Sequence, residues 1–368
     1  MEPTRNITVG QTTAILVSTI IGVGVLRLPL ISVQSADTGA PLLTLLSTIF
    51  VFAGMWGIAK LGNLFPDETF VEYSEHIIGK WLGWLYIFLI IAFFILLTGF
   101  AAREFGAVVV TSVLPRTPLE VTVIVMLVMA MIFTRGDMNT FTYIHSFYLP
   151  VILVPLLIIT LVSLKDANTL FLQPILGSGF KMMTGIPEIA ALFQGSFVLA
   201  ILIPLMQKPK KALKASFWGV TISGGFFIMI IVASIALFGV EEIKTIMWPT
   251  LGLARATSLP GNTLQRLDVV FLAIWVTAVF TTIFSNYMLT TQALKQFLRL
   301  QDHKALALFL LPIIFLVAMF PVETIEMYRY IKVFGILGLI LTFIFPFILL
   351  IVAKIRKVPK RKRKGAGK

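Results

Sequence analysis

The residues best placed to do chemistry in this chain are two short breaks in otherwise apolar stretches and a ladder of hydroxyls. The first break is Ile21-Gly22-Val23-Gly24-Val25-Leu26-Arg27-Leu28-Pro29, and the second centres on Gln194-Gly195-Ser196, between Pro187 and Pro204. Glycine lowers helical propensity and proline removes a backbone donor. An interrupted helix is tolerated at mid-membrane depth only where its freed backbone is buried in protein or lines a cavity. The chemistry such a break offers is recognition. A half-helix N-terminus presents N–H groups and partial positive charge to a carboxylate, and half-helix carbonyls across the break can accept an ammonium. A small amphoteric molecule such as an amino acid suits that arrangement better than a sugar or nucleoside, because the wall lacks paired carboxylates and amides.

The hydroxyls follow the same depth. Counting at ~1.5 Å per residue puts Val23, Leu96, Gly195-Ser196 and Phe280 near the middle of the first, third, sixth and eighth apolar stretches. Thr98-Gly99 and Thr281-Thr282 lie beside two of these points. Thr277, Thr281 and Ser285 recur every four residues and share a helix face, with Asn286 and Tyr287 nearby. A lone threonine can simply bond back to its own helix, and glycines alone can serve close helix packing; aligned with two breaks they point to a polar cavity. Ile21, Val25, Phe193, Phe197 and Phe284 would supply its apolar wall and favour a small or aliphatic side chain. Arg27, ~5 Å outward of Gly24, is a vestibule or gate residue. Arg103 and Glu104 fall ~33 Å beyond Trp81, at the outer rim, with partners on other elements. Glu188 and Asp268 sit near helix starts, where acids favour the dipole.

These features need membrane-spanning elements to position them. Of 368 residues, 58% are hydrophobic and 13% charged, and the mean hydropathy is +0.97. That excludes a soluble domain and makes the chain an all-α polytopic membrane protein. A spanning helix needs ~20 apolar residues, and ten stretches are expected as transmembrane helices, at about 8–36, 40–62, 80–112, 119–135, 141–163, 185–206, 213–239, 265–294, 305–320 and 329–354. The first is too long and lacks the small-residue site of a cleavable signal. Five spans per half make a 5+5 inverted repeat, about 8–163 and about 185–354, in a single transmembrane domain over 1–354, with helices 1 and 6 interrupted. Matched Gly/Pro-broken segments in two halves point to a mid-membrane binding site. Residues 66–75 read as a surface helix capped near Asp67, and the loops 164–184 and 240–264 as turn-rich, with Pro260 and Gly261 among their turn residues.

The net charge of +13 follows the positive-inside rule. Lys208, Lys210, Lys211 and Lys214, then Lys295, Arg299 and Lys304, then the basic tail 355–368 share one side. Both termini are therefore expected to be cytoplasmic. The Lys360–Lys364 run suits anionic lipid, and with no aromatic platform beside it no nucleic acid is expected. There is no nucleophile–base cluster, acidic metal site or phosphate loop. The chain has no cysteine, and His76, His145 and His303 are scattered. No catalytic residue, metal or other cofactor is expected.

Gly22-Val23-Gly24-Val25-Leu26-Arg27-Leu28-Pro29 resembles the first-helix G-x-G-[IV]-[FL]-x-x-P signature of the amino acid–polyamine–organocation transporter superfamily. Phe65-Pro66-Asp67-Glu68-Thr69 with Glu72-Tyr73, Gly79-Lys80-Trp81-Leu82-Gly83, the Lys208-Pro209-Lys210-Lys211 loop, and Arg266-Leu267-Asp268-Val269-Val270-Phe271 with Trp275 resemble one branch of it. That branch is the permease-like B subunit of bacterial spore germinant receptors. The resemblance implies a LeuT-like fold in the inner spore membrane, binding a small nutrient germinant together with A-type and C-type subunits. By the family pattern the ligand contacts come from spans 1, 3, 6 and 8: Ile21, Gly22, Val23, Gly24, Val25, Thr98, Gln194, Gly195, Ser196, Phe197, Thr281, Thr282 and Tyr287. Thr281-Thr282 resembles the hydroxyl pair of sodium-coupled relatives, and the span-5 lysine of proton-coupled relatives has no counterpart, His145 lying near the start of that span. An ion-coupled amino-acid transporter is the alternative. Gly22→Leu or Thr282→Val, introduced into a germination-deficient strain rescued by this chain, is expected to blunt the response to one nutrient while membrane insertion persists.

Overall fold

The computed structural model describes residues 5–257 and 267–357. Pro260, Gly261, Arg266 and the Lys360–Lys364 run lie outside them. The described residues form helices throughout, joined by short 3₁₀ turns, with a single isolated bridge between Ile7 and Met206.

The first half begins with α1 (Val9–Ile20), whose Thr8 and Gln11 form a capping box that satisfies two N-terminal donors. After a 3₁₀ turn come α2 (Leu28–Ala36) and α3 (Ala40–Leu64), joined by a second 3₁₀ turn at Asp37–Gly39. The short α4 (Phe70–Ile78) is capped by Thr69 and Glu72, two residues past Asp67. It is amphipathic, with Phe70, Tyr73 and Ile77 buried against the rest of the molecule and Glu72 exposed. Gly79 then turns the chain with φ 88° and ψ 165°, a region open essentially to glycine alone, into α5 (Lys80–Ser112). α6 (Leu119–Thr134) and α7 (Met138–Ser163) complete the half. Asp137 caps α7 by accepting from the Thr140 N–H at 2.7 Å, and that bond holds its carboxyl below the usual carboxylate range.

The second half also opens on a broken helix. α8 (Ile186–Ala191) stops at a 3₁₀ stretch, Gln194–Val198, and resumes as α9 (Leu199–Leu202). α10 (Ala212–Thr245) is bent at Gly239, and α11 (Pro249–Ala256) lies across the α2 end of the first break. α12 (Leu267–Phe297), α13 (Lys304–Met319), α14 (Thr324–Leu339) and α15 (Phe345–Ile355) follow, the last two joined through a π-turn at Ile340–Ile344. The core lies where α1 and the second break are enclosed by α3, α5, α10 and α12.

The expectation of ten transmembrane helices is corrected. Six segments among the described residues are long and apolar enough to cross a membrane: Leu28–Leu64, Lys80–Ser112, Met138–Asp166, Pro209–Thr245, Asp268–Phe297 and Thr324–Ile355. A seventh is added if Gly179–Ala191 and Gln194–Leu205, bent by 48°, are taken as one broken span. Length is the reason. α1, α6 and α13 have 12, 16 and 16 residues, or ~18–24 Å of helix against a ~30 Å hydrocarbon core. The break after α1 also leaves α2 continuous with α3 as one 37-residue segment.

Gly79→Ala is expected to destabilise the protein by about 1–3 kcal/mol, the usual cost of a side chain in that backbone region. Its thermal midpoint in detergent should fall, whereas Gly225→Ala, where an added Cβ meets nothing within 4 Å, should leave the midpoint unchanged or higher.

Candidate functional site

The first break is a problem of backbone satisfaction. α1 ends because Gly22 leaves helical geometry at φ −140°, ψ −107°, and its N–H turns back to Ile20 O at 3.0 Å. Ser18 O and Thr19 O thereby lose the donors that a continuous helix would give them. Both are recovered by α12, with Thr281 Oγ1 donating to Ser18 O at 2.9 Å and Thr282 Oγ1 to Thr19 O at 2.8 Å. Trp275 Nε1 donates to Gly22 O at 3.2 Å, and Thr250 Oγ1 from α11 donates to Val25 O at 2.7 Å. Four side chains from two elements hold the open turn in shape.

The second break meets the first at close range. A Cβ on Gly22 would stand 1.8 Å from Thr282 Oγ1, one on Gly195 would stand 2.7 Å from Thr19 Cγ2, and one on Gly24 would stand 2.9 Å from a Leu192 methyl. Glycine is required at these positions because backbones and side chains of three elements converge there. It follows that Gly22→Leu would disturb the packing of α12 as well as any ligand. Gln194 Nε2 donates to Gly335 O, tying the second break to α14.

Between the breaks and the ends of α5, α8 and α14 lies a cavity of about 390 Å³. Of the residues expected from sequence, Val23, Gly24, Gln194, Gly195 and Thr282 line it, and so does Arg27. The others are elsewhere. Gly22 is pressed on Thr282, while Ile21 and Val25 face an apolar seam with Trp275. Thr98 Oγ1 donates to Phe94 O of its own helix, and Phe197 packs on Phe70 and Phe94. Thr281 is spent on Ser18 O, and Tyr287 donates to Ala307 O. Ser196 is buried with its hydroxyl unpartnered, outside the lining.

The cavity wall also contains residues that the depth count passed over. Phe93, Leu97, Phe100, Ala101 and Glu104 form one stripe of α5, at the i, i+4, i+7, i+8, i+11 spacing of a helix face. Glu104 is therefore a buried wall residue and not part of an outer rim. Arg103 points away, donating to Val322 O at 3.0 Å. Asn286, one turn beyond Thr282, is 1% exposed, and neither its Oδ1 nor its Nδ2 has a partner. A buried amide costs about 1–3 kcal/mol when left unsatisfied, and this one lines the cavity, where a ligand could supply the partner.

Charge is arranged in layers toward the mouth. Trp248 Nε1 donates to Tyr328 Oη at 2.8 Å, and Tyr328 donates to Glu104 Oε1 at 3.0 Å. Arg27 stacks its guanidinium 3.6 Å from the Tyr328 ring centre, a cation–π contact. Its Nε is buried without a hydrogen-bond partner, and no ion pair of the described residues includes it. Glu188 is paired with Lys332 at 2.9 Å beside the opening. Asp268 pairs with Arg255. At the opposite end α4 closes the molecule, with the Phe70 ring 5.2 Å from Phe197 and Thr69 donating to Gln296. Arg5–Asp67 and Arg299–Glu75 ion pairs lie on that face. The cavity is thus sealed at the α4 end and opens past exposed Met247 and Ile325.

Asn286→Leu is expected to leave thermal stability equal or higher, because it removes an unsatisfied amide. The same variant should lower retention of a radiolabelled amino-acid mixture by about tenfold, the size of one hydrogen bond to a charged group. A fall in stability with unchanged retention would show that the amide serves packing.

Comparison with known proteins gives the same architecture. A nucleobase-cation-symport-1 family transporter, solved closed with bromovinylhydantoin bound, superposes with TM-score 0.63 over 98% of this chain and 96% of its own, at 14% identity. A Na⁺-coupled sialic acid symporter in a substrate-bound outward-open state gives TM-score 0.67 over 92% and 78%, at 12% identity. The fold is all-α and LeuT-like. Spore germination protein YndE of Bacillus subtilis (strain 168) is 29% identical over 97% of this chain and 98% of its own length. Spore germination protein B2 of the same organism is 26% identical over 96% of both. The family described as "Spore germination protein" matches residues 6–327, and this integral membrane chain belongs to that family.

Proposed function

We propose that the protein binds a small amphoteric solute, an amino acid by preference, in the cavity between its two broken helices and passes it across the membrane by alternating access in the service of germination. The observation that carries this reading is the pairing of an unpartnered buried amide, Asn286, with a cavity open at one end and sealed at the other. Val23 and Gly24 begin a 3₁₀ turn, where the first N–H groups lack intrahelical acceptors and suit a carboxylate. Arg27, stacked on Tyr328 and in no ion pair of the described residues, adds attraction for the same group. Both solved neighbours are named as transporters or symporters, which supports movement of a solute. With both termini cytoplasmic, the open end faces outward.

The second reading uses the same site without transport. There the chain is the permease-like subunit of a germinant receptor in the inner spore membrane, with A-type and C-type partner subunits, and the ligand signals by favouring one conformation over another. The relatives' names tie either reading to spore germination. In neither reading is the chain an enzyme.

Proteoliposomes holding the purified full chain separate the two. Concentrative uptake of the radiolabelled amino-acid mixture under a proton or sodium gradient is the expected result. Saturable binding without accumulation would replace transport by sensing. In the same vesicles Phe70→Ala, which removes the ring packed on Phe197, should raise gradient-independent leak of the mixture by opening the sealed end.

A further inference from the structure

Between α7 and α8 the chain runs through three 3₁₀ turns, Leu164–Asp166, Thr169–Leu172 and Gly179–Gly185. One side of this segment is fastened to the protein. Asn168 N–H donates to Ala236 O at 2.7 Å, beside the bend of α10, and Ser178 N–H donates to Ala36 O at 3.3 Å. The Thr38 hydroxyl donates to Pro174 O. Gly177 has φ 48°, and a Cβ there would collide with Ala36 O, so the segment lies directly on the elbow between α2 and α3. Met182 and Gly185 are buried, and the chain enters α8 at Ile186 without interruption.

The other side is apolar and uncovered. Phe180 is 92% exposed, Ile175 75%, Leu170 69% and Leu176 61%. Large apolar side chains gathered in water are unfavourable and mark a surface that something else covers. The patch continues a surface that already faces lipid. On α7, Val151, Val154, Ile158, Leu161 and Leu164 are exposed at the spacing of one helix face, and the segment prolongs that face beyond the helix end.

Depth agrees with this. The spans Met138–Asp166 and Pro209–Thr245 are centred near Ile152 and Phe227. At ~1.5 Å per residue, Leu164 and Gly239 fall ~18 Å from mid-membrane and Ala236 ~14 Å, either side of the ~15 Å half-thickness of the hydrocarbon core. The segment is bonded to α10 at that level, with Phe171 packed at Gly239. Its free side chains therefore lie where headgroups meet acyl chains. Lys165 and Lys181 are exposed near its two ends, in no ion pair of the described residues, and their long stems can carry the ammonium groups out to phosphates.

We propose that residues 164–185 form a lipid-binding strap. Leu170, Ile175, Leu176 and Phe180 insert among the acyl chains of the leaflet on the cavity's open side, and Lys165 and Lys181 meet its phosphates. An in-plane segment of this kind buries its apolar face ~5–10 Å into the headgroup and acyl boundary. The strap is tied to the α2 end of the first broken helix and runs straight into α8 of the second. Lipid that holds the strap thus holds the open-side halves of both broken helices, whether or not the cavity carries a solute. A water-soluble protein fits the patch less well, because the patch reaches below the level of the headgroups.

The chain has no cysteine, so single cysteines can be labelled in the full-length protein. Leu176→Cys and Phe180→Cys each carry a nitrobenzoxadiazole label, with Val154→Cys on the lipid face of α7 and Arg116→Cys in the exposed turn after α5 as references. Each is placed in vesicles of phosphatidylcholine and phosphatidylglycerol. The labels at Leu176 and Phe180 should lose most of their emission to lipids bearing a nitroxide high on the acyl chain, less to lipids bearing it near the chain end, and little to aqueous iodide. The label at Val154 should respond most to the chain-end nitroxide, and the label at Arg116 to iodide alone. Lys165→Glu combined with Lys181→Glu should raise iodide quenching at Phe180; no change would remove the lysines from the lipid contact. Labels at Leu176 and Phe180 as open to iodide as the one at Arg116 overturn the strap. Labels shielded from iodide and from both nitroxide lipids overturn it as well, since a second copy of the chain then covers the patch.

Discussion

An open backbone turn inside a membrane protein must have its carbonyls answered by something other than water, and most of this structure can be understood from that requirement. The turn after α1 frees Ser18 O and Thr19 O, and the threonines of α12 are spaced to reach both. The adjacent hydroxyls of Thr281 and Thr282 meet consecutive carbonyls because α12 crosses α1 at the level of its break. Trp275 nearly two turns earlier, and Thr250 on a separate short helix, answer Gly22 O and Val25 O. In hydrocarbon an unsatisfied carbonyl costs several kcal/mol, so these four donors fix where α11 and α12 can sit. The cavity is what remains on the far side of the turn once that has been done.

Close approach is the second half of the same constraint. Donors as short as threonine reach a backbone carbonyl only if nothing stands between the helices, which is why Gly22 admits Thr282 and Gly195 admits Thr19. The aromatic residues occupy the layers above and below. Phe193 packs on Phe227 and Phe197 on Phe94, filling the space that the thin waist of glycine, serine and threonine leaves at each end. Polar contacts are concentrated at mid-depth and apolar bulk is moved away from it.

The breaks themselves were legible in the sequence because glycine and proline within apolar stretches have few other uses, and the family resemblance followed from the same residues. The roles of the hydroxyls were not. Depth, helix spacing and the family pattern place Thr281, Thr98 and Tyr287 at the site, yet none of these says whether a hydroxyl faces ligand, a foreign carbonyl or its own helix. Asn286 and Glu104 carried signals, an amide one turn past Thr282 and an acid in an apolar stretch, but rotation about α12 and α5 decides their direction, and rotation is set by packing partners distant in sequence. The number of spans was overcounted for a related reason. Apolar runs such as 119–135 and 305–320 look like spanning helices in composition, while the helices they form have 16 residues each. His145 was noted only as a residue near the start of its span; its contacts with Ser18 and Ser285 bridge 127 and 140 positions of chain, and no local pattern encodes them.

The bridge between Ile7 and Met206 is small, two backbone bonds at 3.2 and 2.9 Å joining Ile7 to Leu205 and Gln207. It joins the chain just before α1 to the chain just after α9, at the sealed end of the molecule. Each of these half-helices ends at one of the two breaks. The bridge therefore links both broken helices by backbone alone, so a displacement of the N-terminal segment would be shared between them.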